Sequence, residues 1–173
     1  MKHRPAFIKH WRDIQEEDNA CYPDSSELLS IGSPFGRMMG LQRIGIHHEV
    51  LPPGRRTSWP HAESDEEEFV YVIEGRPQAW INGELYDLDP GDGIGFPAGT
   101  GITHTFINNS QSDVRLLVIG ERKKPNNKIY YAKNPEQKEK RNDWWHDWPE
   151  QVMGSHDGFP DHSDMAKTRK ESV

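Results

Sequence analysis

The residues with the clearest chemical potential lie in one stretch, Pro60 to Gly75, PHAESDEEEFVYVIEG. His61 and Glu63 are two apart, so an extended backbone points both to the same side. An imidazole nitrogen and a carboxylate oxygen held side by side are ligands for a divalent cation. The acidic run Asp65 to Glu68 leads straight into Phe69-Val-Tyr-Val-Ile73, the most β-prone run of the chain. A charge beside such a strand is costly unless it is solvated, paired or bound to a cation. A second histidine, His104, sits in FPAGTGITHTFINN, four residues before Asn108. His48 and Trp80 are candidates for lining a pocket beside these groups, and Glu63 and Glu68 for moving a proton within it. Plainer readings stand beside these. His61, Glu63 and Glu68 also suit a solvated loop edge, His104 and His48 hydrogen-bonded core histidines, and Trp80 simple packing. Asp65, Glu66 and Glu67 read as solvated, and His47, His146, His156 and His162 as lying outside any ligand set.

The elements that must position these groups are short strands. Ile44, Ile46, His48 and Val50 alternate with Arg43, Gly45, His47 and Glu49, which predicts a strand with one apolar face. Leu51-Pro-Pro-Gly54 ends it. Further strands are predicted over 68–74, 78–81, 85–88, 94–96, 104–107 and 114–119, with one more at 129–131. Asn82-Gly83 between two of them is a hairpin signal, because both residues accept the positive φ of a type I′ turn. Evenly spaced strands with turn chemistry between them predict an all-β sandwich or barrel.

The ends differ from the centre. Residues 1–36 hold Arg4-Pro5, Tyr22-Pro23 and Ser33-Pro34 and read as an arm, with a short helix starting at Ser25 or Ser26. Residues 37–121 carry the barrel. Residues 122–162 form an extension containing Asp143-Trp-Trp-His-Asp-Trp148, and so many indoles in one run must dock on the barrel or on a partner subunit. Residues 163–173 read as disordered.

Composition narrows the class. The 173 residues suffice for one domain with a core and some extra chain. A net charge of −7 argues against a nucleic-acid surface. The single cysteine, Cys21, excludes an internal disulfide and a thiolate cage and fits a reducing, cytoplasmic setting. Nothing near it marks it as an activated nucleophile. The start lacks the apolar core of a secretory signal, and no apolar run is long enough to span a membrane.

The residues over about 40–120 resemble the cupin superfamily. Its first motif is matched by Gly54, His61-Ala-Glu63, Glu68 and Gly75, and its second by Gly91, Pro97-Ala-Gly99, His104 and Asn108. The second motif carries two residues more than usual between Gly99 and His104. The longer run from SPFGRMMGL to THTFINN is similar to single-domain cupins of unsettled function. The resemblance implies a jelly-roll barrel, a homodimer, and one divalent ion, Mn, Fe, Ni or Zn, held by His61, Glu63, Glu68 and His104. Glu63 stands where the family usually has histidine, which makes the site harder or leaves it damaged. Dioxygenase and isomerase chemistry on a small molecule in the barrel are both implied. The alternative is a non-catalytic barrel that binds a small molecule or sugar.

Overall fold

In a computed structural model, residues 4–161 are described, and the stretch expected to be disordered lies outside them, as does His162. Ten strands form two five-stranded sheets. In chain order they are β1 (Ile31–Ser33), β2 (Ile44–Leu51), β3 (His61–Glu63), β4 (Glu68–Glu74), β5 (Gln78–Ile81), β6 (Glu84–Asp87), β7 (Gly93–Phe96), β8 (His104–Ile107), β9 (Val114–Glu121) and β10 (Ile129–Tyr131). One sheet has the order β1-β2-β9-β4-β7, the other β10-β3-β8-β5-β6, with every paired neighbour antiparallel. The fold is an all-β jelly roll. The expected strands form, and the two sheets each recruit an edge strand from outside 37–121, β1 from the arm and β10 from the extension. No helix begins at Ser25 or Ser26; Ser25 closes a turn on the Tyr22 carbonyl instead, and the arm's one α-helical turn, α1, is Phe35–Met38.

The core lies between the sheets. Leu51, Val70, Val72, Ala79, Phe96, Phe106, Val114 and Leu116 form one buried cluster. Cross-strand pairs share a face, so the registers extend this interior row by row. Leu116 pairs with Val72 and with Glu49, and Val118 pairs with Val70 and with His47. On β2 the barrel-facing residues are therefore Gly45, His47, Glu49 and Leu51, whereas Ile44, Ile46, His48 and Val50 face out. The apolar phase of β2 is the outer one because the arm covers it. Trp11 stacks on His48 at 4.4 Å, and Arg115 lies over the same indole.

The turn at Asn82-Gly83 has φ of 47° and 88°, as the hairpin signal requires. The tail folds back over this hairpin: Gly154 N donates to Asn82 O and His156 N to Gly83 O. Trp144 and Trp145 are buried on their own chain, where Trp145 N donates to Ile129 O. Trp148 stacks on Tyr130 at 3.8 Å. Tyr22, Trp59, Tyr131 and Trp144 make a second apolar cluster that joins arm, barrel and extension.

Arg56 ties the same three segments. It is 1% exposed, donates through Nε and Nη2 to both oxygens of Glu27, donates through Nη1 to the Gly158 carbonyl, and lies over the Phe159 ring. Removing one member of a buried ion pair leaves the other charge uncompensated, at a cost of roughly 3–5 kcal/mol. Arg56→Ala is expected to lower the unfolding free energy by that order, read as a lower urea midpoint at unchanged slope. Arg56→Lys is expected to recover little, since an ammonium cannot make the two-pronged contact. A variant as stable as the parent in urea denaturation would remove this clamp from the account.

Candidate metal centre

Three side chains converge between the sheets. His61 from β3, Glu68 from β4 and His104 from β8 each bring one ligand atom to within 4.8 Å of the other two. His61 and His104 are direct cross-strand partners, which sets their rings 5.0 Å apart. Glu68 comes from the opposite sheet, on the row of Phe96 and Gly120. The ring of Phe96 stacks on His104 at 3.5 Å and nearly parallel, fixing its plane.

Both histidines are held by the same device. His61 Nδ1 lies 2.9 Å from the Trp59 carbonyl, and His104 Nδ1 lies 3.3 Å from the Ile102 carbonyl. A carbonyl only accepts, so each Nδ1 carries a proton, and each Nε2 is the ring nitrogen turned away from that anchor. Fixing one ring nitrogen on a carbonyl while the other faces the ion is the usual arrangement of metal-ligating histidine. His104 Nε2 is buried and has no hydrogen-bond partner, although Glu68 Oε1 lies 3.3 Å away. A buried orphan nitrogen beside a carboxylate is costly unless something completes the site. The space at the trio, bounded also by Glu63, Pro97, Thr100 and Ile102, is about 10 Å³, the size of a single ion or water. The donor set of two nitrogens and one carboxylate therefore suits a divalent transition-metal ion.

The local electrostatics agree with that use. Burial, then the neighbouring His104, pushes His61 down to about 4, so it is neutral at physiological pH. Burial tends to raise Glu68, but its contact with His104 and the nearby His61 and His47 outweigh this and hold it below the usual carboxylate range.

The structure brings together three of the four ligands expected from sequence. Glu63 shares the β3 face with His61 and lines the same small cavity but lies outside the converging trio. Its neighbours are Glu66 and Asn127, and burial followed by the charges of Glu66 and Glu68 pushes it up to about 8. Glu66 itself is not a free solvated group, since it accepts a hydrogen bond from Lys124 N.

The two expected pocket residues lie elsewhere. His48 faces out from β2, under Trp11, and its Nε2 accepts from Arg115 Nε at 3.0 Å. Trp80 alternates with Ala79 and Ile81, whose side chains join the core, so it points to the outside of its sheet. There it is fully buried by the tail, and its Nε1 donates to the His156 carbonyl. The inward residues of β2 that sequence reasoning missed are His47 and Glu49. The signal for them was the second phase of the same alternation, Gly45, His47, Glu49, Leu51.

The motif residues around the trio serve the scaffold. Asn108 is fully buried and donates to the Leu51 and Ser112 carbonyls, closing the β8–β9 turn. Gly101 has φ of 72°, and a side chain there would run into the Pro149 carbonyl of the tail. A cleft of about 370 Å³, opened by Gly95 and Gly120 and walled by Ile44, Phe69 and Ile119, reaches Glu68 from the far side of its sheet.

With fold and site in view, the comparisons with known proteins are specific. Residues 47–120 match the family model described as the cupin domain, and this barrel belongs to the cupin superfamily. The chain is 32% identical over 89 residues to the polyketide synthase CurC of Streptomyces cyaneus, a match covering 51% of each chain. It thus spans about half the length of that curated relative. A solved cupin-superfamily sugar phosphate isomerase from Silicibacter pomeroyi is 31% identical, with a TM-score of 0.57 over 60% of this chain and 65% of that one. The polyketide cyclase RemF from Streptomyces resistomycificus superposes with a TM-score of 0.58 over 83% of this chain and 96% of its own, at 20% identity, a likeness of fold. Among the described residues no helix is long and apolar enough to cross a membrane.

One pH effect follows from the outward histidine. Burial, then the Arg115 guanidinium, pushes His48 from its ordinary 6.5 down to about 4. Between those values the unfolded chain binds more protons at this site than the folded one. The stabilisation from neutral His48 is thus complete above pH 6.5 and is lost as pH falls toward 4. Wild type and His48→Gln compared by urea denaturation at pH 7.5 and 4.5 should differ in acid sensitivity by on the order of 1–2 kcal/mol. Parallel pH profiles for the two proteins would contradict the assignment.

Proposed function

We propose that this barrel is a metal-dependent enzyme that moves a proton on an oxygen-bearing small molecule, in the manner of an isomerase or cyclase. The observation that carries the reading is the buried, unpartnered Nε2 of His104, facing Glu68 and the similarly oriented His61. His61, Glu68 and His104 would hold one divalent ion, with Glu63 as a nearby carboxylate that is not a fixed ligand. An ion bound there supplies Lewis acidity, polarising a carbonyl or hydroxyl oxygen of the ligand. The chain supplies the rest. The carbonyls of Trp59 and Ile102 keep the imidazoles in one tautomer, Phe96 fixes the plane of one ring, and the enclosed carboxylates hold or move protons.

Proton transfer is favoured over dioxygenation by the concentration of carboxyl groups at the trio, Glu63, Glu66 and Glu68, since isomerisation and cyclisation need groups that give and take protons. The likeness to a sugar phosphate isomerase at 31% identity supports the same direction. A non-catalytic binding barrel is the second reading, and the departure from histidine at Glu63 is the observation in its favour.

The test begins with metal content after purification with added Mn, Fe, Ni and Zn. About one equivalent of metal per chain is expected, falling at least tenfold in His61→Ala and His104→Ala and unchanged in Glu67→Ala, whose side chain is exposed. Metal loss in Glu67→Ala equal to that in His104→Ala would mean that the acidic run ligates differently. The loaded protein is then incubated with hydroxy-ketones in deuterated water. Deuterium entering next to the carbonyl marks proton transfer, oxygen uptake marks dioxygenation, and binding without either marks the second reading.

A further inference from the structure

We propose that the cleft between the arm, the loop 123–128 and the segment 137–143 binds the phosphate dianion of a small phosphorylated molecule, at a site separate from the His61–Glu68–His104 trio. The inference does not depend on what the trio does.

Three pieces of chain build the cleft. The loop after β9 is stitched to the stretch that follows β3: Lys124 N donates to Glu66 Oε1, Lys128 N to Ser64 Oγ at 2.7 Å, and Asp65 N to Asn127 Oδ1 at 3.0 Å. Lys123 and Lys128 therefore project from a braced loop. A helical turn, α2 (Gln137–Lys140), carries Lys140 and is followed by Arg141. The arm supplies Pro23 and Asp24 from the turn that Ser25 N closes on the Tyr22 carbonyl. The space between them is about 890 Å³, the size of a small-molecule site. None of its lining residues lines the small cavity at the trio.

The charges in this cleft do not balance. Lys123, Lys128, Lys140 and Arg141 face two carboxylates, Asp24 and Asp143. Asp143 is spent on Arg141, which grips both its oxygens at 2.8 and 2.9 Å and lies over the Tyr131 ring. Asp24 meets Lys140 at 3.5 Å, and both side chains are mostly in water, where such a pair is weak. Lys128 Nζ has the Asn142 carbonyl at 3.5 Å, a neutral acceptor. Among the described residues no carboxylate lies within ion-pair distance of Lys123 or Lys128. The cleft thus holds two positive charges in excess, in a chain whose net charge is −7.

That excess selects the ligand. A concave surface of one sign concentrates the opposite ion. A phosphate monoester carries about −1.5 to −2 near pH 7, which matches the surplus. The ligand must also be small, because a long nucleic-acid strand would leave the cleft and run over an acidic surface. Pro23 and Pro125 give the organic part of an ester apolar walls. Asp24 is the competitor already in place, since its carboxylate takes the Lys140 ammonium that a phosphate would use. It sits at φ 62°, a conformation that asparagine adopts as readily, so Asp24→Asn removes the charge without disturbing the turn.

The test is calorimetry on the full chain after chelator treatment, so that phosphate held by a metal is not counted. The probes are glucose 6-phosphate, inorganic phosphate and glucose. Saturable binding of a phosphate probe is expected with a Kd of about 1 mM or below, and none of glucose. An ester that binds more tightly than inorganic phosphate assigns the site to phosphorylated molecules, and equal binding assigns it to free phosphate; both support a phosphate site. Lys123→Gln and Lys128→Gln alter exposed side chains and are expected to fold, with binding weakened roughly three- to fivefold each. Lys138→Gln makes the same charge change on α2 outside the lining and should bind as wild type does. Asp24→Asn should bind about two- to fivefold more tightly, a gain that misfolding cannot produce. Absence of saturable phosphate binding overturns the proposal, as does a loss in Lys138→Gln equal to that in Lys128→Gln. A single-stranded RNA that displaces glucose 6-phosphate and binds more tightly than it does also overturns it.

Discussion

The architecture depends on a guanidinium taken out of water. Arg56 sits in the linker between β2 and β3, and one planar group with five donors spans the arm through Glu27 and the tail through Gly158. Burying a cation is tolerable only when its charge is matched and its donors are used, and here the matching groups come from opposite ends of the chain. The same linker carries Trp59, whose ring packs with Tyr22, Tyr131 and Trp144 and whose carbonyl holds His61. The candidate metal site is thus oriented by a segment that is itself pinned by arm and tail. The short strand β3 meets β8 in register only at His61 and His104, so this external bracing does what a longer ladder would otherwise do.

The site combines rigid ligands with less constrained carboxylates. Two histidines and Glu68 are placed by strand register from both sheets, and each imidazole is fixed at the nitrogen that does not face the centre. Glu63 lines the same small cavity, with a carboxyl group raised by burial and by the charges of Glu66 and Glu68.

Much of this was legible in the sequence for local reasons. The i, i+2 spacing of His61 and Glu63, the Asn82-Gly83 turn and the β-prone run after Glu68 are short-range signals, and they found their strands. What failed was the choice of face. Alternation on β2 correctly grouped Ile44, Ile46, His48 and Val50, but an apolar phase marks a covered face and not which layer covers it. The arm covers the outside of β2 as the second sheet covers the inside, so His48 and His47 exchanged roles. Trp80 was misplaced in the same way, since the tail makes the outer face of β5 as dry as the inner. The separation of Glu63 from the other three expected ligands depends on its side-chain contacts with Glu66 and Asn127, to which spacing is blind.

The double covering of β2 also bears on how the sequence is free to drift. In a strand with one wet face, alternate positions accept almost any residue, and a substitution map shows tolerance with period two. On β2 one phase is committed to the arm and the other to the barrel interior, so intolerance should run unbroken from Ile46 to Leu51. On β6, where three of four residues are exposed, neighbouring sites remain open. The arm thus turns an ordinary strand into one whose record of change over evolution would read like that of a central strand in a parallel sheet.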